Sequence, residues 1–263
     1  MTEGTNDQQA GSASRPFECV VIDLSTQIDF CDPRGANPVA NLNEVIPAWR
    51  STVAWAKRNL TPVISSLEAH RPREMNGNGR SSDCCDGSNG QRKIGFTLFR
   101  RSINIEVDNT LWCPLDLYTR HQQIIFRKRS EDLFENPKAD RFLTQLSVKE
   151  FLLFGVGLET SIRTLALGLA ARRKRVSVIG DACGYWNWGR AEIAKRQMQA
   201  KGVGFITVAE LRGRKLDRHC CPWIETTEPT DSDSSATGNG RANGSSHGRK
   251  NGHPTSGHGH STS

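Results

Sequence analysis

Short apolar runs alternate with amphipathic segments through the middle of the chain, and this alternation limits the fold more than any other feature. Apolar runs of strand length occur at residues 19–23, 61–65, 123–126, 150–156, 176–179 and 203–207. Helical spacing of apolar residues between the runs predicts helices over residues 41–58, 137–146, 160–173 and 190–200. Buried strands that alternate with helices are typical of a parallel sheet covered on both faces. We therefore predict an α/β fold, a three-layer α/β/α sandwich with a mainly parallel sheet.

The two ends of the chain differ from this middle in composition. Residues 1–16 and 226–263 are rich in small and polar residues, so they have too few apolar side chains to form a core. We expect both segments to be disordered and to flank one domain at residues 17–225. No run approaches the roughly 18 apolar residues of a membrane span, and the first residues lack the pattern of a secretory signal. We expect a cytoplasmic protein that does not bind membranes.

The charge of the chain suggests no specific macromolecular partner. The 35 basic and 28 acidic residues give a net charge of +7. Basic clusters such as residues 172–175 are not interleaved with aromatic side chains, so we expect a solvated basic surface and no specific nucleic-acid partner. Neither a G-x-G-x-x-G motif after the first strand nor a P-loop is present, which disfavours a nucleotide site. Attention therefore turns to the carboxyl ends of the strands, where parallel sheets place their sites.

Three segments at those strand ends carry a family resemblance. Residues 21–30 resemble a first-strand motif D-x-Q-x-D-F, and residues 126–137 contain K-x-x-x-D-x-F. Residues 154–163 resemble a nucleophile segment G-V-x-x-x-x-C, and D-A-C follows at residues 181–183. Together the segments make residues 17–212 similar to the isochorismatase-like cysteine hydrolases, which include nicotinamidases. The resemblance implies hydrolysis of a C–N or vinyl-ether bond in a small molecule by an Asp, a Lys and a Cys.

The catalytic positions depart from the family pattern. Lys128 matches the family lysine, but Ser161 stands at the nucleophile position and Ser25 at the position of the aspartate. Asp23 is two residues earlier, so on a strand it would face the same side as Ser25, about 6–7 Å further back. The resemblance also implies an oxyanion hole formed by backbone N–H groups of Gly157 and Ser161. Loss of the carboxylate and the thiol favours a catalytically impaired homologue, a pseudoenzyme that binds a small carbonyl or amide ligand.

Two active alternatives stay open at this point. In the first, a buried and neutral Lys128 would act as the base for Ser161, giving a serine hydrolase of a small amide. In the second, another cysteine such as Cys31 would replace the missing thiol. For the impaired homologue, Ser161→Cys alone should restore little activity, because the thiol would lack a proton acceptor. Combined with Ser25→Asp, it should do more than the two single changes added together.

The resemblance also implies a metal site. Family members of the nicotinamidase type hold a metal with a D-x-H pair and further histidines, and Glu68-Ala-His70 occupies that place here. With Asp83, these residues form a candidate site for zinc, iron or manganese. The alternative is that Glu68 and His70 form a hydrogen-bonded pair at a strand end. Apart from this metal, we expect no cofactor.

The resemblance also bears on oligomeric state. Family members commonly form dimers or larger assemblies, and Trp186 and Trp188 form a candidate exposed aromatic pair. Aromatic residues are enriched at protein interfaces. We therefore expect a homo-oligomer.

Overall fold

The computed structural model describes residues 17–71, 83–107, 114 and 116–216. All of these residues belong to one compact unit of the chain. The predicted disordered ends, residues 1–16 and 226–263, lie outside the described residues. Within the described ranges, no helix is both long and apolar enough to cross a membrane.

Seven parallel strands form the central sheet, in the order β3-β4-β2-β1-β5-β6-β7. Their bounds are β1 Phe17–Leu24, β2 Val63–Glu68, β3 Ser102–Ile105, β4 Gln123–Lys128, β5 Val148–Val156, β6 Val176–Gly184 and β7 Gly204–Ile206. Only β3 was not predicted. It lies at the edge of the sheet, and its residues alternate between exposed and half-buried, so it lacks the continuous apolar run of a strand buried on both faces.

Six α-helices accompany the strands in the described part of the chain. Their bounds are α1 Ile28–Cys31, α2 Leu42–Arg58, α3 Pro137–Gln145, α4 Arg163–Ala171, α5 Trp188–Ala200 and α6 Val208–Gly213. The helix predicted over residues 160–173 is split, because a π-helix at Leu158–Ile162 precedes α4. The short helices α1 and α6 were not predicted. Thr207 and Glu210 form a capping box at the start of α6, which is a recognisable sequence signal.

Two apolar clusters cover the two faces of the sheet. Ile22 and Leu24 of β1 belong to one cluster, with buried residues of α3, α4 and α5. Val21 of β1 belongs to the other, with residues of α1, α2 and α6. Because successive residues of a strand point to opposite faces, β1 contributes to both cores. The predicted three-layer α/β/α sandwich with a parallel sheet is confirmed.

The order of the central strands determines where polar side chains meet. Strands β4, β2, β1 and β5 are consecutive neighbours in the sheet, and all are parallel. Their carboxyl ends therefore lie side by side at one edge. Glu68 and Lys128 are direct Cα partners at the ends of β2 and β4, while Ser25 and Ser161 follow β1 and β5. The fold thus brings residues from four distant segments to one place.

Candidate functional site

Lys128 lies at the centre of this polar cluster. Its side chain has no exposed area, and its Nζ donates to Ser161 Oγ at 2.9 Å and to Glu68 Oε1 at 2.9 Å. A third bond, of 3.2 Å, goes to the backbone oxygen of Glu131. A lysine ammonium has three N–H donors and no acceptor, and the buried Glu68 carboxylate supplies the counter-ion that favours this charged form. Ser161 therefore receives a hydrogen bond from a cation.

Ser161 is positioned by an unusual start to its helical segment. Gly157 has a left-handed backbone with φ +84°, and the π-helix Leu158–Ile162 begins directly after it. Glycine adopts such a backbone without strain. A Cβ at Gly157 would clash with Thr160 Oγ1, so a larger residue would have to displace the Thr160 side chain. Ser161 is 2% exposed, and its hydroxyl lies inside the cluster.

Ser25 also has a left-handed backbone, with φ +51°, at the point where β1 has ended. Its N–H donates to Ser66 Oγ at 3.1 Å. Its hydroxyl donates to Glu68 Oε1 at 2.9 Å, so it satisfies the carboxylate and contributes no negative charge. Ser25 therefore lies in the cluster with Lys128 and Ser161, as their strand-end positions predict.

The prediction that Asp23 faces the same side as Ser25 is wrong. Asp23 Oδ2 is 2.9 Å from Lys93 Nζ and accepts a bond from Ser65 Oγ, whereas Ser25 contacts Ser66. Ser65 and Ser66 are successive residues of β2, so they point to opposite faces of the sheet. The positive φ at Ser25 interrupts the strand alternation on which the prediction depended. Asp23 belongs to a second buried ion pair.

Glu68 has a role in this cluster that was not predicted from the sequence. Its Oε1 accepts hydrogen bonds from both Ser25 and Lys128. Gln27 holds its backbone on both sides, because Gln27 Oε1 accepts from the Glu68 N–H at 2.8 Å and Gln27 Nε2 donates to the Glu68 carbonyl at 2.9 Å. The only signal in the sequence is the longer side chain, a glutamate where the family D-x-H pattern has an aspartate.

The predicted metal site does not form. Among the described residues, no group of three or more His, Cys, Asp or Glu side chains is arranged to hold a metal ion. His70 lies between the two carboxylates, with Nε2 3.5 Å from Glu68 Oε2 and Nδ1 3.2 Å from Asp83 Oδ1. Because opposite sides of the ring face Glu68 and Asp83, the three groups do not converge on one point. The donors therefore do not fit zinc, iron or manganese, and His70 lies within ion-pair distance of Glu68 while its hydrogen bonds go to Asp83.

The predicted oxyanion hole is contradicted at Gly157. Its N–H donates to the carbonyl oxygen of Gly184, at the end of β6, with a distance of 2.9 Å. The hydrogen-bond ladder between β5 and β6 therefore continues past the last strand residue and uses this donor. A ligand oxygen would have to break that bond to reach it.

Cys31 does not replace the missing thiol. It is buried in the cluster on the α2 face of the sheet, whereas Ile162, next to Ser161, lies in the other cluster. Burial raises the pKa of the Cys31 thiol well above its usual range, which disfavours the reactive thiolate. Burial also raises the pKa of the Cys183 thiol, which disfavours its thiolate in the same way.

Of the two tryptophans predicted to be an exposed pair, only Trp188 is exposed, by 60%. Trp186 is half-buried and packs edge-on against Phe30 with ring centroids 5.5 Å apart. Glu159 accepts bonds from the N–H groups of Trp186 and Asn187, so the segment after β6 is tied to the π-helix. A Cβ at Gly157 would lie 3.4 Å from the Trp186 ring. Trp186 is therefore a wall near Ser161. Since only Trp188 is exposed, the aromatic pair proposed for an interface is not present, and the homo-oligomer stays a prediction.

Comparisons with known proteins agree with this architecture. The Isochorismatase domain model matches residues 19–210, and no curated protein sequence matches the chain. The pyrazinamidase of Pyrococcus horikoshii in complex with zinc is 19% identical, with a TM-score of 0.57 over 72% of this chain and 99% of that one. A nicotinamidase from Bacillus subtilis is 14% identical, with a TM-score of 0.57 over 72% and 98% of the two chains.

A third similar structure is an isochorismatase family protein from Desulfovibrio vulgaris. It is 19% identical, with a TM-score of 0.59 over 74% of this chain and 96% of that one. Such low identities show a shared fold, and the family itself is shown by the domain match over most of the chain. With its parallel sheet and its polar cluster at the carboxyl edge, the chain belongs to the isochorismatase family.

Proposed function

We propose that this chain is a catalytically impaired member of its family, which binds a small carbonyl or amide compound beside Lys128 and Ser161. One observation carries the proposal: Lys128 Nζ lies 2.9 Å from the Glu68 carboxylate, its buried counter-ion, and 2.9 Å from Ser161 Oγ. A general base must accept the proton of its nucleophile. An ammonium that already donates to Ser161 cannot do so, which argues against a Ser161–Lys128 hydrolase.

Within the described residues, no carboxylate hydrogen-bonds the Ser161 hydroxyl, because Glu68 Oε1 is bonded to Ser25 and Lys128 instead. Ser25, at the position of the family aspartate, is a hydroxyl that donates to Glu68. A serine hydroxyl is a weak nucleophile unless an adjacent base activates it. The described part of the cluster therefore has no group that removes the proton of Ser161, which is the step that begins hydrolysis. Its hydrogen-bonding groups remain in place.

The same groups support binding of a planar carbonyl compound. Within the described residues, the Ser161 hydroxyl accepts from Lys128 and has no acceptor for its own hydrogen, so it can donate to a ligand oxygen. The half-buried ring of Trp186 lies near Gly157, where it favours a flat, partly apolar ligand. Two of the similar structures are a pyrazinamidase and a nicotinamidase, so pyrazinamide and nicotinamide are suitable first probes.

The test compares turnover and binding in matched variants. Ammonia release from nicotinamide and pyrazinamide is measured for the wild type and for Ser161→Ala, and we expect no difference between them. Calorimetric titration with the same amides should show binding by the wild type that Ser161→Ala weakens about 2–10-fold, the value of one hydrogen bond. Ser147→Ala is the control, because Ser147 is exposed before β5 at the opposite edge.

Two results would contradict the proposal. Wild-type turnover that disappears in Ser161→Ala would establish Ser161 as a nucleophile and favour the serine hydrolase. Equal affinity of the wild type, Ser161→Ala and Ser147→Ala for every amide tested would show that the cluster is not the binding site.

A further inference from the structure

We infer that Glu68 replaces the carboxylate that is missing at residue 25, so that the charge partner of Lys128 comes from β2 instead of from the end of β1. Glu68 is then a positioning residue, which acts on position 161 through Lys128. The inference rests on the proposed function only in that both concern the same cluster.

The first observation is that two groups share one oxygen. Ser25 Oγ and Lys128 Nζ each lie 2.9 Å from Glu68 Oε1. This carboxylate oxygen therefore lies between residue 25 and Lys128, within hydrogen-bonding distance of both. The hydroxyl of Ser25 is short enough to leave room for it.

Strand order explains why a residue of β2 can fill this place. In the sheet, β2 lies between β1 and β4, so a side chain at its carboxyl end has Ser25 on one side and Lys128 on the other. Glu68 and Lys128 are also direct partners in the register. Glutamate has one methylene group more than aspartate, which gives the carboxylate the reach to lie between both neighbours.

The surroundings hold Glu68 in this arrangement. Gln27 fixes its backbone through two hydrogen bonds, and His70 Nε2 lies 3.5 Å from its second oxygen. Lys128 is fully buried, and the side chain of Glu68 is 10% exposed. A buried ammonium needs a counter-ion, and Glu68 is the one it has at hydrogen-bonding distance in the described part of the chain.

This arrangement changes what a thiol at position 161 should do. The sequence alone predicts little gain from Ser161→Cys, because no carboxylate remains at residue 25. In the structure, position 161 faces an ammonium that Glu68 keeps charged and directed at it. A nearby lysine ammonium favours a thiolate, so the introduced thiol should be reactive without any change at residue 25.

The test moves the carboxylate between the two positions. Three variants are made in the Ser161→Cys background: the single background variant, the addition of Glu68→Gln, and the addition of both Glu68→Gln and Ser25→Asp. Alkylation of the introduced thiol by iodoacetamide at pH 7 is followed by peptide mass spectrometry. The thiolate sulfur bonds to the carbon of iodoacetamide, iodide leaves with the electron pair of the C–I bond, and the thiol proton goes to solvent.

We expect Glu68→Gln to slow alkylation about tenfold. This corresponds to a rise of about one unit in the pKa of the introduced thiol. Without its anion the buried ammonium is discharged or turned away, and in both cases the thiol loses its cation. Adding Ser25→Asp should return the rate to within about threefold of the background variant. Glu150→Gln is the control, because Glu150 is a buried carboxylate of a different ion pair, with Arg214, and its loss should leave the rate unchanged.

Thermal unfolding gives a second measurement that does not depend on reagent access. With serine kept at position 161, Glu68→Gln should lower the melting temperature, and Ser25→Asp with Glu68→Gln should recover most of the loss. If the double variant recovers neither the melting temperature nor the alkylation rate, the inference is wrong. Ser161-dependent turnover by the wild type would overturn the proposed function but not this result, so the two failures are distinguishable.

Discussion

Glu68 Oε1 accepts a 2.9 Å hydrogen bond from Lys128 Nζ, although the two residues are 60 positions apart in the sequence. They meet because β2 and β4 are parallel neighbours whose last residues are partners in the register. The pair is buried, so removing one partner leaves an uncompensated charge or an unpaired polar group in the protein interior.

Lys128→Met should therefore destabilise the protein by about 3–5 kcal/mol, the usual cost of breaking a buried ion pair. Combining it with Glu68→Gln should cost less than the two single changes added together, because the second change removes a group that has already lost its partner. Urea unfolding of the four proteins measures this coupling. Strict additivity would show that the two side chains do not interact in solution.

The ion pair of Asp23 and Lys93 on the opposite face of the sheet should contribute to stability and not to ligand binding. Both side chains are almost fully buried and lie 2.9 Å apart, so we expect Asp23→Asn to cost about 3–5 kcal/mol. At a temperature where the variant is fully folded, its affinity for amides should stay within about twofold of the wild type. A tenfold loss of affinity measured by calorimetry would show that Asp23 contributes to ligand binding.

Gly157→Ala should be more damaging than Gly202→Ala, although both glycines have nearly the same left-handed backbone, with φ +84° and +81°. An alanine in this conformation costs about 1–2 kcal/mol at either position. At Gly157 the added Cβ would also lie 2.4 Å from Thr160 Oγ1, whereas nothing lies within 4 Å at Gly202. The clash should add about 1–3 kcal/mol, and equal losses in chemical unfolding would contradict this.

The stability of the protein should depend on pH through His70. Its hydrogen bond with the Asp83 side chain raises the pKa of His70, and the charge of Glu68 acts in the same direction, while burial opposes both. A raised pKa means that the folded protein holds the proton more tightly than the unfolded chain. The contribution is therefore complete below the ordinary histidine pKa of about 6.5 and is lost as the pH rises through the higher pKa of the folded state.

Urea unfolding between about pH 5.5 and pH 8.5 tests this pH dependence with Asp83→Asn as the comparison. The wild type should lose more stability than Asp83→Asn as the pH rises, because the variant lacks the main cause of the shift. Parallel curves for the two proteins would show that the His70–Asp83 contact does not form.

The fold was largely predictable from the sequence, whereas the contacts of the site were only partly so. Buried strands such as β5 are continuous apolar runs, so their pattern identifies them. The role of Glu68 depends on which strands are neighbours in the sheet. The alternation of strands and helices along the sequence does not determine that strand order. The position of Asp23 was mispredicted because a left-handed residue at Ser25, which no glycine marks, changes the direction of the chain.

The state of the Lys128 side chain is the central claim of this account, and nuclear magnetic resonance of its Nζ measures it directly. The protein is labelled with nitrogen-15 on lysine side chains, and the Lys128 signal is assigned as the one missing in Lys128→Met. We predict a nitrogen coupled to three protons at pH 7, the ammonium that donates to Ser161, Glu68 and Glu131. A nitrogen coupled to two protons would contradict the account, because a neutral lysine beside Ser161 is a base that can activate it.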